Sequence, residues 1–368
     1  MTPRQKGGLR AVLLEHAAAY PQMEPADFVK LIYQNEFGCE HMGSDGALDA
    51  LRREYESEGC RENRREGRPA VEEIGGGFCR VYLDSGEIGE NFLPVLAELF
   101  RASARPGGGS AGGLREKLSF FLEMASDGLL PAGGDEAERF VRDYAARGCP
   151  PLHHSDGYRR RYAPHYRVIR SCYVPFFPAF RAVQRLLEEK RPAIAAVDGR
   201  CASGKSFFAE LLSEIFSCEV YHMDDFFLPP RLRTRERLSA PGGNVDSERF
   251  RKEVLEPIRQ GKDVEYRAFD CFSGGMKPAV LRRTGPFSVV EGSYSMHPAL
   301  APAYDLRIFL TCSPQEQRRR LLRREGETGI LRFEREWIPL EERYFSALDI
   351  AGSCDLIFDT TDFIREGD

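Results

Sequence analysis

The stretch Ala193 to Ser206, AIAAVDGRCASGKS, constrains this chain more than any other. Its first residues form an apolar run of the kind that makes a buried parallel strand. GRCASGKS then satisfies every fixed position of the phosphate-binding pattern GxxxxGKS. Beyond it, Phe208, Leu211, Leu212, Ile215 and Phe216 recur at helical spacing. The pattern therefore lies between a strand and a helix, the context it needs. Gly199 and Gly204 let the backbone curl until successive amide hydrogens face phosphate oxygens, and the helix that follows adds the positive end of its dipole. The expected phosphate-binding set is Gly199, Ala202, Ser203, Gly204, Lys205, Ser206 and Phe207, with Lys205 reaching the terminal phosphates and the Ser206 hydroxyl offered to magnesium. A nucleoside triphosphate site for ATP with Mg2+ is predicted, in preference to an inert glycine turn.

The chain has 368 residues, which predicts two domains. With 42% hydrophobic and 30% charged residues it reads as an ordinary globular protein. A net charge of -5 argues against nucleic acid as a general partner, and the runs Arg159 to Arg161 and Arg318 to Arg320 read as solvated faces. Ten cysteines are scattered without any CxxC pair, so zinc ribbons and dithiol redox sites are unsupported and a reducing compartment is expected. The apolar patch Ala11 to Tyr20 is interrupted by Glu15 and His16 and is too short for a signal peptide or a membrane span. A cytoplasmic protein with no membrane partner is predicted; oligomeric state stays open.

Residues 1–174 read as a mainly helical domain. Apolar stripes fall at Phe28, Leu31 and Ile32, at Leu48, Leu51 and Tyr55, at Phe92 to Phe100, at Leu114 to Leu122, and at Phe140 to Tyr144. Gly75 to Gly77 with Phe78 to Leu83 predicts a turn and one short strand, and Arg105 to Gly113 a glycine-rich, mobile loop. Two places carry chemistry-capable side chains. One is Gln34 to His41; the other is His153, His154, Ser155 and Asp156 followed by Tyr158, Tyr162, His165 and Tyr166. A metal set of Cys39, His41 and His154, a carboxylate-histidine-serine set, a phosphorylated ligand facing the Arg, Tyr and His residues of Tyr158 to Arg170, and plain structural roles all stay open.

Residues 175–368 read as an α/β domain, a parallel five-stranded sheet with helices on both faces. A helix over Pro175 to Lys190 precedes the phosphate-loop strand. Further strands are predicted at Cys218 to Met223, Phe287 to Val290, Leu306 to Thr311 and Asp355 to Asp359. Carboxylates at the carboxyl ends of parallel strands face one crevice. Asp224 or Asp225 is thus placed to orient or deprotonate an acceptor, and Glu291 to hold magnesium directly or through water. Gln315 to Arg324 (QEQRRRLLRR) reads as a helix leading to a lid, with Arg320 and Arg324 on one face and Arg332 and Arg335 beyond it as later candidates.

The ordered set VDGRCASGKS, HMDDFFLP, GGNVDSERF, VVEGSYSMHP and the arginine helix resembles the uridine kinase-like branch of P-loop kinases, over about half the chain. That branch is similar in fold to phosphoribulokinase and bacterial pantothenate kinase. The resemblance implies ATP, magnesium and transfer to a primary hydroxyl. It implies that Asp224 is the base for the acceptor hydroxyl, with Lys205 on the donor phosphates. It also implies that Asp246 lies in the substrate segment and that Tyr266 to Cys271 (YRAFDC) falls where that branch contacts its base. Asp225 stands where those kinases carry serine and Phe227 where they carry tyrosine. No histidine follows Asp270 nearby. The expected function is transfer of the γ-phosphoryl group of ATP to a hydroxyl of a nucleoside-like or other small metabolite. The alternatives are a nucleotide-hydrolysing regulatory module or a bifunctional chain with separate N-terminal chemistry. No NKxD guanine-reading element is present, which disfavours a GTPase.

Overall fold

The computed structural model describes residues 1–39, 46–62, 69–104, 108–189, 191–271 and 273–362. It divides the chain into two compact units, Met1–Val174 and one that begins at Pro175. Among the described residues no helix is long and apolar enough to cross a membrane.

In the first unit the expected stripes become the helices Pro25–Phe37, Ala47–Glu56, Leu93–Ser103, Ala111–Ser126 and Gly134–Ala146, preceded by Pro3–Ala19. Their apolar faces are buried, and Phe28 of Pro25–Phe37 stacks on Phe121 of Ala111–Ser126 at 5.5 Å. The single predicted strand is one of three. β1 (Val71–Gly75), β2 (Phe78–Tyr82) and β3 (Tyr166–Arg170) form an antiparallel sheet in that order. β3 lies more than eighty residues beyond its partner β2 in the chain, at the end of the stretch Tyr158 to Arg170 whose Arg, Tyr and His residues could face a phosphorylated ligand. Only the pairing Phe78↔Arg170 to Tyr82↔Tyr166 shows that it is a strand. Within the loop predicted at Arg105 to Gly113, residues 105–107 lie outside the described residues, as does His41 of the proposed metal set.

The second unit is organised about β4 (Ala193–Gly199), every residue of which is buried. β5 (Glu219–His222), β8 (Phe287–Glu291), β9 (Leu306–Thr311) and β10 (Leu356–Asp359) join it in the order β10-β9-β4-β8-β5, all parallel. Two further strands, β6 (Val264–Asp270) and β7 (Gly275–Arg282), pair as a separate antiparallel hairpin. That hairpin was not expected from the sequence. One sheet face carries Ile194, Tyr221, Val290 and Phe309 against Tyr344 and Phe345 of the helix Ile338–Ala347. Elsewhere Phe176, Phe208 and Phe358 pack ring on ring, 4.3 Å between the first two and 5.2 Å between the first and last. Phe208 belongs to the helix Lys205–Phe216, so this aromatic cluster fixes the helix that starts at the phosphate loop. The helix expected over Pro175 to Lys190 is Phe177–Glu188.

The cluster around Phe28 supports the first unit directly. Phe28→Ala removes a fully buried ring and is expected to destabilise the protein by about 3–5 kcal/mol, read as a lower denaturant midpoint. A loss below about 1 kcal/mol would show that the Phe28–Phe121 contact is peripheral.

Candidate functional site

The phosphate loop begins where β4 ends. Gly199 has φ +139°, and a Cβ there would stand 2.0 Å from the Leu310 carbonyl oxygen, so no larger residue fits. Gly204, at φ +91°, turns the chain into the helix Lys205–Phe216. The first amides of such a helix lack intrahelical acceptors and favour an anion. Between the two glycines the loop carbonyls are tied down from outside. Gln317 Nε2 donates to the Cys201 carbonyl at 3.0 Å, Arg320 Nη1 to that of Ala202 at 3.1 Å, and Thr360 Oγ1 to that of Ser203 at 2.8 Å. Glu341 accepts from the Cys201 amide at 2.9 Å and from the Ser293 hydroxyl at 2.6 Å. Arg200 is gripped by Glu342. Ala202 is thereby held at φ +58°, which a non-glycine residue adopts only at a cost in strain.

Lys205 Nζ donates to the carbonyls of Gly199 and Arg200 at 2.8 and 2.9 Å. Ser206 Oγ donates to Glu291 at 3.3 Å, and the other Glu291 oxygen lies 2.6 Å from His222 Nδ1. Parallel registry explains the second contact, since His222 pairs with Glu291 across β5 and β8. Sequence reading assigned His222 no role, because the adjacency of β5 and β8 is not encoded locally. The Glu291 hydrogen bond is the main cause that raises the His222 imidazole above its usual value, with Asp225 and Asp224 adding to it and burial opposing it.

Asp224 and Asp225 occupy a tight turn, Met223–Phe226, immediately after β5 rather than the strand itself. The Asp224 carboxyl is raised above the usual aspartate range, first by the desolvating walls of the crevice and then by Glu291 and Glu341. Lys205 and His222 pull the other way. These five side chains therefore share one electrostatic neighbourhood. Asp225 accepts from the Tyr266 hydroxyl at 3.0 Å, so β6 brings a residue of the segment that the resemblance gives to base contact against a carboxylate expected to orient an acceptor. Phe226 stacks on Tyr266 at 5.3 Å, with the Arg249 guanidinium 4.1 Å from the Phe226 ring centre. Asp246 caps the short helix Ser247–Phe250 by accepting from the Arg249 amide, which anchors the segment beside Asp225.

The arginines separate by position. Arg320 lies beneath the loop, bonded to Ala202, Thr360 and Glu316. Arg324 is exposed, paired with Glu325 and 5.3 Å from the Phe333 ring centre. The helix Pro314–Arg332 breaks at Gly326, φ +72°. Beyond the break Arg332 lies over Trp337, whose ring stands 5.7 Å from Phe227. Phe207 is half-buried at the start of its helix. Among the described residues no group of three or more His, Cys, Asp or Glu is arranged to hold a metal ion. Magnesium asks less of a protein, taking one or two oxygen ligands alongside substrate phosphates, and the Ser206–Glu291 pair supplies such donors.

The order β10-β9-β4-β8-β5, with the glycine loop leaving the central strand for a helix, decides the architecture. The second unit has the P-loop kinase fold. Among solved structures, a possible uridine kinase from Bacillus stearothermophilus is 16% identical, covering 50% of this chain and 100% of its own, with a TM-score of 0.37. D-glycerate 3-kinase from Cryptococcus neoformans is 12% identical, covering 48% and 86%, at 0.32. Shikimate kinase from Bacteroides thetaiotaomicron is 12% identical, covering 47% and 89%, at 0.24. No protein-family model and no curated protein matches the chain.

Two measurements check this site. Arg320→Ala leaves the Ala202 and Thr360 carbonyls without their donor, and is expected to cost about 1–3 kcal/mol and to speed amide exchange across residues 201–204. Unchanged exchange there would show that the loop holds itself. A histidine NMR titration should place the His222 midpoint above 6.5, with the imidazolium persisting to higher pH than in a free histidine. Glu291→Gln should return it toward the ordinary value.

Proposed function

We propose that the second unit transfers the γ-phosphoryl group of ATP, with magnesium, to a hydroxyl of a small metabolite. The observation that carries this reading is the meeting of Asp224, Lys205 and Glu291 at one crevice beside the phosphate loop. Phosphoryl transfer needs little covalent help from a protein. It needs positive charge over the phosphates, a clamped donor and an oriented acceptor. Each requirement has a residue here.

The loop amides from Ala202 to Phe207 bind the donor phosphates. Lys205 exchanges its hold on the Gly199 and Arg200 carbonyls for the terminal phosphates, a swap between acceptors that keeps its ammonium hydrogen-bonded throughout. Ser206 and Glu291 would hold Mg2+, which supplies charge neutralisation on the phosphates. His222, fixed to Glu291, orients that carboxylate. Asp224 accepts the proton of the attacking hydroxyl, and its raised carboxyl makes it a better base than an ordinary aspartate. Asp225 and Tyr266 form the wall that receives the acceptor, a nucleoside-like compound or another polyhydroxylated metabolite. Arg332 or Arg335, beyond the break at Gly326, closes over the transferring group, while Arg320 positions the loop.

The test is ADP formation by purified protein with a panel of nucleosides, sugars and other alcohols. Lys205→Ala and Asp224→Ala should each abolish the acceptor-dependent part, and Asp224→Asn should lower kcat by about 10²- to 10⁴-fold with the fold intact. Full ATP turnover without any acceptor would sink the kinase reading and favour a nucleotide-driven regulatory module.

A further inference from the structure

The first unit encloses a cavity of about 260 Å³ that the phosphoryl-transfer reading does not use. It opens between the helix Pro25–Phe37, the helix Asp156–Tyr162 and β3. The volume is just under the roughly 300–1,000 Å³ of sites for drug-sized ligands, so it suits a metabolite smaller than a nucleotide.

Three cations line it from three elements: Lys30, Arg159 and Arg167. Glu54 is the carboxylate in the lining and is held at 2.7 Å by Arg167 and at 3.2 Å by His165. Arg159 pairs outside the lining with the exposed Asp156. Lys30 has a different environment. Its ammonium donates to the Leu152 carbonyl at 2.8 Å, and no described carboxylate forms an ion pair with it. Burial and the Arg80 guanidinium lower it to about 8, against the pull of Asp27, so it is still mostly charged at neutral pH. A half-buried ammonium that lines a cavity, with one carbonyl as its hydrogen-bond partner and Asp27 attracting it only at a distance, is a charge that an anion in the cavity would balance.

The wall behind these cations has its hydrogen-bond directions fixed. His154 Nδ1 lies 2.8 Å from Asp27, and its Nε2 lies 2.7 Å from the Tyr166 hydroxyl. Burial drives the His154 imidazole down to about 4, so the ring is neutral, with Nδ1 donating to Asp27 and Nε2 accepting from Tyr166. Gln34 accepts from Arg80 at 3.1 and 2.8 Å and turns its amide toward Tyr166 at 3.3 Å. Arg80, fully buried, is paired with Glu72 at 3.1 Å. The serine of the sequence-level triad idea does not reach His154. Ser155 Oγ instead donates to Asp27 at 2.8 Å and caps the helix Asp156–Tyr162. The result is a rigid polar wall with its charges compensated behind the surface and an excess of positive charge at it. Tyr33, Phe100 and Val168 add apolar surface to the lining.

We propose that this cavity binds a small organic phosphate monoester, with Lys30 as its principal charge partner and Arg159 and Arg167 at its sides. Cations on three separate elements match a tetrahedral dianion better than a planar carboxylate, and guanidinium and ammonium groups are the usual donors to phosphate. Every residue of this cavity belongs to the first unit. A phosphate monoester is also the class of product that transfer to an alcohol makes, so a chain with both activities would hold the same chemistry in both of its units.

The test is calorimetric titration of the full chain carrying Lys205→Ala, which silences the phosphate loop. The probes are phenyl phosphate and glycerol 3-phosphate, with benzoate and glycerol as contrasts. One saturable site for a phosphate probe is expected, weakened about 10- to 100-fold by adding Lys30→Met and largely restored by Lys30→Arg. Should Lys30→Met fail to fold, the exposed Arg159→Ala decides the matter by a several-fold loss. The proposal is overturned by no saturable phosphate binding, by binding indifferent to these substitutions, or by benzoate binding more tightly than phenyl phosphate.

Discussion

The second unit depends on three hydrogen bonds that hold a loop from its outside. Backbone amides turned toward a phosphate must have their carbonyls turned away, and those carbonyls need donors of their own. Gln317, Arg320 and Thr360 provide them to Cys201, Ala202 and Ser203 in succession. Glu341 then holds the Cys201 amide and Ser293 together. The strained Ala202 persists because its neighbours over-determine it. Preorganisation of this kind is what lets a short glycine loop meet an anion without reorganising.

Much of this architecture was legible because it is local. The strand-loop-helix context of GRCASGKS, the strands at Phe287, Leu306 and Asp355, and the helical stripes of the first unit all follow from short-range periodicity. What escaped depends on pairing over distance. The His222–Glu291 contact exists only because β5 lies beside β8, and nothing within either strand specifies its neighbour. β3 closes a stretch rich in Arg, Tyr and His, and only β2 placed against it makes it a strand. The hairpin β6–β7 was hidden for a different reason. Residues of β7 are largely solvent-facing, so the alternation that marks a half-buried strand is missing. Arg320 shows the limit for function as well. The five arginines of Gln315 to Arg324 look alike in sequence, and only the tertiary fold separates the one beneath the loop from those in solvent.

The two units use buried polarity in different ways. Around the phosphate loop, charged side chains hold a backbone in a demanding conformation. In the first unit, Arg80, Gln34, Tyr166, His154 and Asp27 form a chain in which each member settles the hydrogen-bond direction of the next. Such a chain tolerates few substitutions, because one lost partner strands its neighbours in a low-dielectric interior. Its rigidity gives the cavity beside it a defined wall.

The fasteners of the phosphate loop also have a consequence for how the protein is made. Thr360 lies 157 residues beyond the Ser203 carbonyl that it secures. At about 5–20 residues per second, a ribosome would release the loop roughly 8–30 s before the strand that completes it. Ser203 lacks its outer donor through all of that interval and Ala202 lacks its own until Arg320 has been made, so the loop has no reason to hold its strained form. Competence to bind nucleotide should therefore arise late in synthesis, when the chain has passed residue 360, and not when its most recognisable motif emerges.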